Sequence, residues 1–201
     1  MTKLILIIGT LLATVSFVPY IRDILRHGAR PRLVSWVIWT LLLGLMAIVS
    51  VQEKQWGSAL VSSISAIGCF AVVVIGYRYA SRDVSNLEKV TLMAAVAGIV
   101  LWFVVENPLV VMIVALLIDG IAYVPTIIHA WQDPEEESLA AYAVAGTGQV
   151  LVLSAVWLEH TTLIGLLYPL YASLFSLLMV SLISISQYVS RESRERAVRS
   201  Y

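Results

Sequence analysis

Seven runs of apolar residues, each about as long as a helix that crosses a bilayer, dominate this chain and leave it few ways to fold. They cover approximately residues 4–25, 33–51, 56–77, 90–105, 109–130, 139–158 and 161–189, and the fourth is the shortest. A hydrocarbon core about 30 Å thick takes roughly 20 helical residues at 1.5 Å each. Within it every backbone polar group must be paired internally, so the runs are expected to be transmembrane α-helices. The rest of the composition agrees: 60% of the 201 residues are hydrophobic, 13% are charged, and the mean hydropathy is +0.89. That is too apolar for a water-soluble globule of this size. The first run follows Lys3 as a secretory signal would, but no small-residue cleavage site comes after it, and the run has a partner later in the chain.

That partner defines the second constraint. The stretch FVPYIRDILRHGARPRLVSW at 17–36 has a copy, YVPTIIHAWQDPEEESLAAY, at 123–142, a constant 106 positions later. In register, Val18 falls on Val124, Pro19 on Pro125, Ile21 on Ile127 and Leu33 on Leu139, while Phe17 meets Tyr123 and Trp36 meets Tyr142. Repetition at a fixed period is best found before a fold is assigned. Here it implies two three-helix repeats, residues 1–82 and 108–190, joined by a linker helix within 83–107, with a basic tail at 191–201. The odd linker helix lets both repeats enter the membrane from the same side, which is a parallel 3-1-3 arrangement.

Orientation follows from the basic residues. With the N-terminus outside, Arg22, Arg26, Arg30 and Arg32, then Arg78, Arg82 and Lys89, then Arg191, Arg194, Arg196 and Arg199 all fall inside, and only Lys3 and Lys54 fall outside. The expected topology is therefore N-terminus outside and C-terminus inside. The acidic loop Asp133, Glu135, Glu136 and Glu137 departs from the pattern, but acidic residues count little in this rule. Two readings of it stand. Asp133 as an N-cap, Pro134 at the first helical position and carboxylates against the helix dipole explain it locally. Alternatively, it faces the arginine-rich loop of the first repeat as a charge latch between halves.

Function is sought where polar residues lie deep in apolar runs. Asp119 sits near the middle of the fifth run with no other carboxylate or amine at comparable depth. A charge there is costly unless it is paired, neutralised or wetted, so it marks either a substrate or proton site or a hydrogen bond between helices, for which Gln149 is the candidate partner. Helical spacing puts Asp119, Tyr123 and Thr126 on one face and Tyr142, Gly146 and Gln149 on another. Ser58, Ser62, Ser65 and Cys69 form a small stripe in register with the bulky stripe Tyr168, Tyr171 and Phe175. Such stripes are either packing seams or the two walls of one asymmetric cavity. Trp36 and Trp39 are read as interfacial, with Trp39 the better cavity candidate, being a turn deeper. Pro19 and Pro125 each free a carbonyl four residues back, at Val15 and Ile121, and are expected to act as matched hinges. Pro169 has Ser63 as its counterpart.

Several classes leave no trace. One cysteine, Cys69, excludes an intrachain disulfide and a cysteine metal cluster. No phosphate-cradling glycine loop, histidine pair at metal spacing or nucleophile triad is present, and His27, His129 and His160 all lie at segment ends. No enzyme activity, cofactor or metal is expected. Equal numbers of acidic and basic residues, 13 each, give no bias toward nucleic acid. The expected partners are a small solute and the lipid bilayer, and a homo-oligomer is compatible with the sequence.

A late proline in the first helix, a basic loop and a Leu33-Val34-Ser35-Trp36 opening of the second helix, repeated after one linker helix, resemble the PQ-loop or SWEET-type transporter superfamily. The layout resembles it over nearly the whole chain, and the motifs over 18–36 and 124–142. The proline-glutamine pair reads here as Pro19-Tyr20 and Pro125-Thr126, and the asparagines of sugar-transporting members are absent, so no sugar substrate is implied. The resemblance implies a small-solute transporter working by alternating access, and a tail without evident sorting signals is compatible with the bacterial cytoplasmic membrane. Its expected solute site comprises Asp119, Tyr123, Gln149, Trp39, Tyr142, Ser62, Ser65, Tyr168 and Tyr171. A receptor or assembly factor on the same scaffold, as in KDEL receptors, is the alternative.

Overall fold

The computed structural model describes residues 1–26, 30–80 and 85–199, leaving aside the side chains of Trp102 and of residues 193–199. His27 and Arg82 lie outside the described residues, and so do the side chains of Arg194, Arg196 and Arg199. The elements are α1 (Thr2–Val15), α2 (Phe17–Arg26), α3 (Leu33–Gln52), α4 (Trp56–Gly76), α5 (Asn86–Trp102), α6 (Pro108–Gln132), α7 (Leu139–Leu158) and α8 (Leu163–Arg199). With α1 and α2 taken as one span, six helices among the described residues are long and apolar enough to cross a membrane. Each carries large apolar side chains on its outer surface, among them Leu4, Ile48, Ile67, Leu117, Val150 and Leu174. Lipid, unlike water, solvates such a surface without penalty. The chain is an all-helical protein built for a bilayer.

Three boundaries and one helix cap differ from the sequence expectation. The first apolar run is interrupted at Ser16, four residues short of Tyr20, where Pro19 cannot donate back to Val15. The linker helix occupies Asn86–Trp102 rather than 90–105, because Ser85 and Glu88 form a capping box that starts it early. At 17 residues it falls short of the six spans. The last helix does not give way to a separate tail but continues to Arg199. Finally, Asp133 does not open α7: its N–H bonds the His129 carbonyl and ends α6, and Ser138 caps α7 instead, accepting from the Ala141 N–H at 3.4 Å. The three glutamates therefore lie in the loop between the helices.

Helices α3 and α7 have both boundaries displaced by 106 positions, as do the span Thr2–Arg26 and α6. The ends of α3 and α7 also close identically. Gln55 N–H bonds the Ser50 carbonyl and Lys54 N–H the Val51 carbonyl; Thr161 N–H bonds the Val156 carbonyl and His160 N–H the Trp157 carbonyl. This is the Schellman closure, which needs a left-handed residue after the cap. Lys54 at φ 58° and His160 at φ 50° supply it without glycine. The two turns meet, the Thr161 hydroxyl donating to the Gln55 side chain.

The pairing of helices crosses between halves of the chain: α1 packs on α7 and α6 on α3, while α3 pairs with α4 and α7 with α8. The α1–α7 crossing is a backbone contact. A Cβ on Gly9 would sit 2.8 Å from the Gly148 carbonyl oxygen, and one on Gly148 2.6 Å from the Gly9 carbonyl oxygen. Because burial from water does not drive helices together in lipid, this closeness is itself the source of attraction. The corresponding positions of α6 and α3 are Ala115 and Leu42, both buried, so that crossing must accommodate side chains. Linker helix α5 packs on α6 and α3. It is clamped at its N-terminus by Arg32, whose Nη2 and Nε reach Glu88 at 2.6 and 3.1 Å, with the Glu88 side chain 3% exposed.

Candidate functional site

Between these crossings lies a cavity of about 110 Å3. A single water occupies roughly 10–15 Å3 on this measure, so there is room for several waters or one small solute. The cavity extends from Tyr142, in the first turns of α7, to Leu43 and Gln149 at mid-helix. It therefore occupies the half of the bundle nearer the loops that follow α2 and α6. Toward the other end the core is tightly packed, with Met46, Val49, Val61, Val152 and Val156 all but fully buried beside the buried serines Ser50, Ser58 and Ser62.

Asp119 forms part of its wall and is 4% exposed. The Tyr171 hydroxyl donates to Oδ2 at 2.6 Å, and Oδ1 has no partner. The pairing with Gln149 expected from sequence is absent. Gln149, 5% exposed, lines the same cavity with its own Oε1 unpartnered, and the Trp39 Nε1 is likewise without an acceptor. Tyr171 reaches Asp119 because α6 packs on α8 and places the two side chains across that seam.

Aromatic rings form a connected wall. Tyr20 lies 4.8 Å from Trp36, Trp36 4.9 Å from Trp39, Trp39 4.4 Å from Tyr123, Tyr123 4.5 Å from Phe175 in a stacked pair, and Phe175 4.5 Å from Tyr171. Each such contact contributes about 0.5–1.5 kcal/mol beyond area, and together they fix ring orientation. Tyr142 meets Tyr20 edge-on at 6.5 Å and extends the series to the loop end. Trp36 is thus not interfacial: it is 7% exposed and lines the cavity.

Of the residues singled out in the sequence, Asp119, Tyr123, Gln149, Trp39, Tyr142, Ser65, Tyr168 and Tyr171 all line the cavity, as does Cys69. Ser62 does not. It is fully buried and bonds back to the Ser58 carbonyl at 2.8 Å, a packing role. The sequence reading missed Ser16, Phe17, Tyr20 and Trp36 as lining residues. An aromatic at 17, 20 and 36 was visible, but which way each faced depended on the interruption at Ser16. Pro125 stays within continuous α6, whereas Pro19 follows the break, so the two matched prolines have different local structure.

The loop-end rim is polar. Glu137 is 6% exposed and accepts a hydrogen bond from the Tyr142 hydroxyl at 3.4 Å. Burial pushes its carboxyl up to about 8, against the pull of that hydrogen bond and with the charge of Glu136 adding to the rise. Ser138 donates to Asp23, joining the start of α7 to α2. Glu136 lies 4.0 Å from Arg30 and 3.4 Å from His129. The Arg30 contact is largely exposed and contributes little on its own. Among the described residues no group of three metal-ligating side chains converges. Compared with protein-family models, curated proteins and solved structures, the chain matches none of them.

Proposed function

We propose that this chain is a small-solute transporter of the PQ-loop or SWEET type, working by alternating access around the cavity that Asp119 lines. The observation that carries the reading is a buried carboxylate oxygen without a partner, facing a cavity between helices in a chain built for lipid. Intramembrane carboxylates of that kind belong to solute and proton pathways. The shared 106-residue displacement of helix boundaries, and the crossed pairing of α1 with α7 and α6 with α3, support two parallel three-helix repeats around a linker helix. In that reading the N-terminus is outside, the C-terminus inside, and the membrane is the bacterial cytoplasmic one. The loops after α2 and α6 then face the cytoplasm.

The cavity is closed from the outside by tight packing and from the inside by the polar rim of Glu137, Ser138, Asp23, Tyr20 and Tyr142. Polar contacts can be exchanged for water at little cost, whereas tight packing opens only by moving helices past one another. Movement at the Ser16 break and around Pro19 and Pro125 supplies that second step. Asp119 is the solute contact and the proposed proton site. Proteoliposomes loaded with a mixed pool of small solutes test this: the wild type should release a subset faster than empty vesicles, and Asp119→Asn should lose at least about tenfold in rate. Release no faster than from empty vesicles for every solute class would overturn transport and leave a receptor or assembly role.

A further inference from the structure

The unpaired groups of the cavity specify what fits it. Asp119 Oδ1 and Gln149 Oε1 are acceptors lacking a donor, and Trp39 Nε1 is a donor lacking an acceptor. All three belong to residues at most 5% exposed that line one cavity. Among the described residues no lysine, arginine or histidine lines it and none neutralises Asp119, whose one bond comes from the uncharged Tyr171 hydroxyl. A buried carboxylate in that position requires a counter-charge or a proton from the guest or the solvent. The surrounding wall adds to the same demand. Aromatic rings carry negative potential on their faces, and Trp36, Trp39, Tyr123 and Tyr171 line the cavity.

We propose that the cavity binds a compact organic ammonium compound, one with N–H donors on the cationic nitrogen, a short apolar body and no carboxylate of its own. An ammonium group supplies the donors that Asp119 Oδ1 and Gln149 Oε1 lack, while the Trp39 Nε1 donor takes no part in this match. The aromatic wall attracts the same charge and packs the carbon body. An anion is repelled by both features. An amino acid brings a carboxylate for which the lining residues offer no cation, so a carboxylate on the guest costs affinity. The inference rests on reading the cavity as a solute site, but not on the solute being carried across the membrane.

The test is calorimetric titration of the full-length protein in lipid nanodiscs with four matched probes: butylammonium, butanol, 4-aminobutyrate and butyrate, each corrected against empty nanodiscs. Butylammonium should bind at least about tenfold more tightly than the other three. Asp119→Asn, which keeps an acceptor for Tyr171, should weaken butylammonium about tenfold or more. Tyr123→Leu should weaken it about threefold to fivefold, because the ring it removes lines the cavity and packs against Trp39. Butylammonium binding no better than butanol, or less well than 4-aminobutyrate or butyrate, overturns the proposal. So does unchanged affinity in folded Asp119→Asn; if that variant does not fold, unchanged affinity in Tyr123→Leu decides against it. A protein that binds butylammonium but transports nothing retains this inference and loses the transport reading. One that moves neutral solutes and ignores ammonium does the reverse.

Discussion

Asp119 and Tyr171 form the one hydrogen bond that any side chain makes to the cavity carboxylate among the described residues. Tyr171→Phe leaves both carboxylate oxygens without a protein partner. Bonds of this kind within membranes contribute about 1 kcal/mol, so the variant should unfold in detergent with roughly that loss. Reversible denaturation read by circular dichroism checks it, and unchanged stability would mean that the bond is made equally well by water. Asp119 stood out in the sequence because it is a lone carboxylate in an apolar run. Its partner did not, because helical spacing assigns side chains to faces without saying how two helices are rotated against each other. The spacing pointed to Gln149 as the partner, and the packing of α6 on α8 brings Tyr171 there instead. Glu137 carries a second residue-scale expectation. Its carboxyl sits at about 8 when buried, against an ordinary value of 4.5, and Tyr142, Tyr20 and Glu136 face it. The folded form holds the proton more tightly. The stabilisation is full below the ordinary value and disappears as pH rises through about 8. The melting temperature should fall between pH 6 and pH 9 in the wild type, and less in Glu137→Gln. An identical slope in both would assign the fall to another group.

Among the elements, α1 and α7 are joined by backbone contact at Gly9 and Gly148, and nothing in the crossing can yield to a larger side chain. Gly148→Leu should cost about 1–3 kcal/mol, or block assembly of the two helices altogether. The same substitution at Gly44, where an added Cβ meets nothing within 4 Å, should be tolerated. Comparison of the two variants' thermal unfolding separates a specific crossing from a general intolerance of bulk. Helix existence was legible from apolar length alone, and the boundaries of α3 and α7 were legible to within a residue or two because a charged loop flanks each. The start of α5 was hidden, since its capping box lies in polar sequence ahead of the apolar run. The cap of α7, unlike its start, was misread for a related reason: Asp133-Pro134 has the composition of a helix opening, but Asp133 is used to close α6 and Ser138 is the actual cap. Local signals compete, and the packing of α2 against α7 through Asp23 and Ser138 selects between them.

At the scale of the whole molecule, the two proposed repeats set positions 106 apart against each other at the cavity. Ala13 and Ser65 in the first half occupy the positions of Asp119 and Tyr171 in the second, and all four line the cavity. In the proposed reading the enclosure comes from both repeats and the charge from the second alone. The 106-residue displacement of helix boundaries matches the period of the sequence pattern; the crossed pairing of helices was not readable, because a period says nothing about which helices touch. The central claim is that the cavity opens to each side of the membrane in turn, and the chain contains its own reporter. Cys69 is the single cysteine, is 5% exposed and lines the cavity. In proteoliposomes of defined orientation, a membrane-impermeant thiosulfonate should modify Cys69 slowly when added from either side, with Cys69→Ser as the blank. Butylammonium should slow the modification from both sides. Labelling from one side only, under every condition in which the protein is folded, would contradict alternating access.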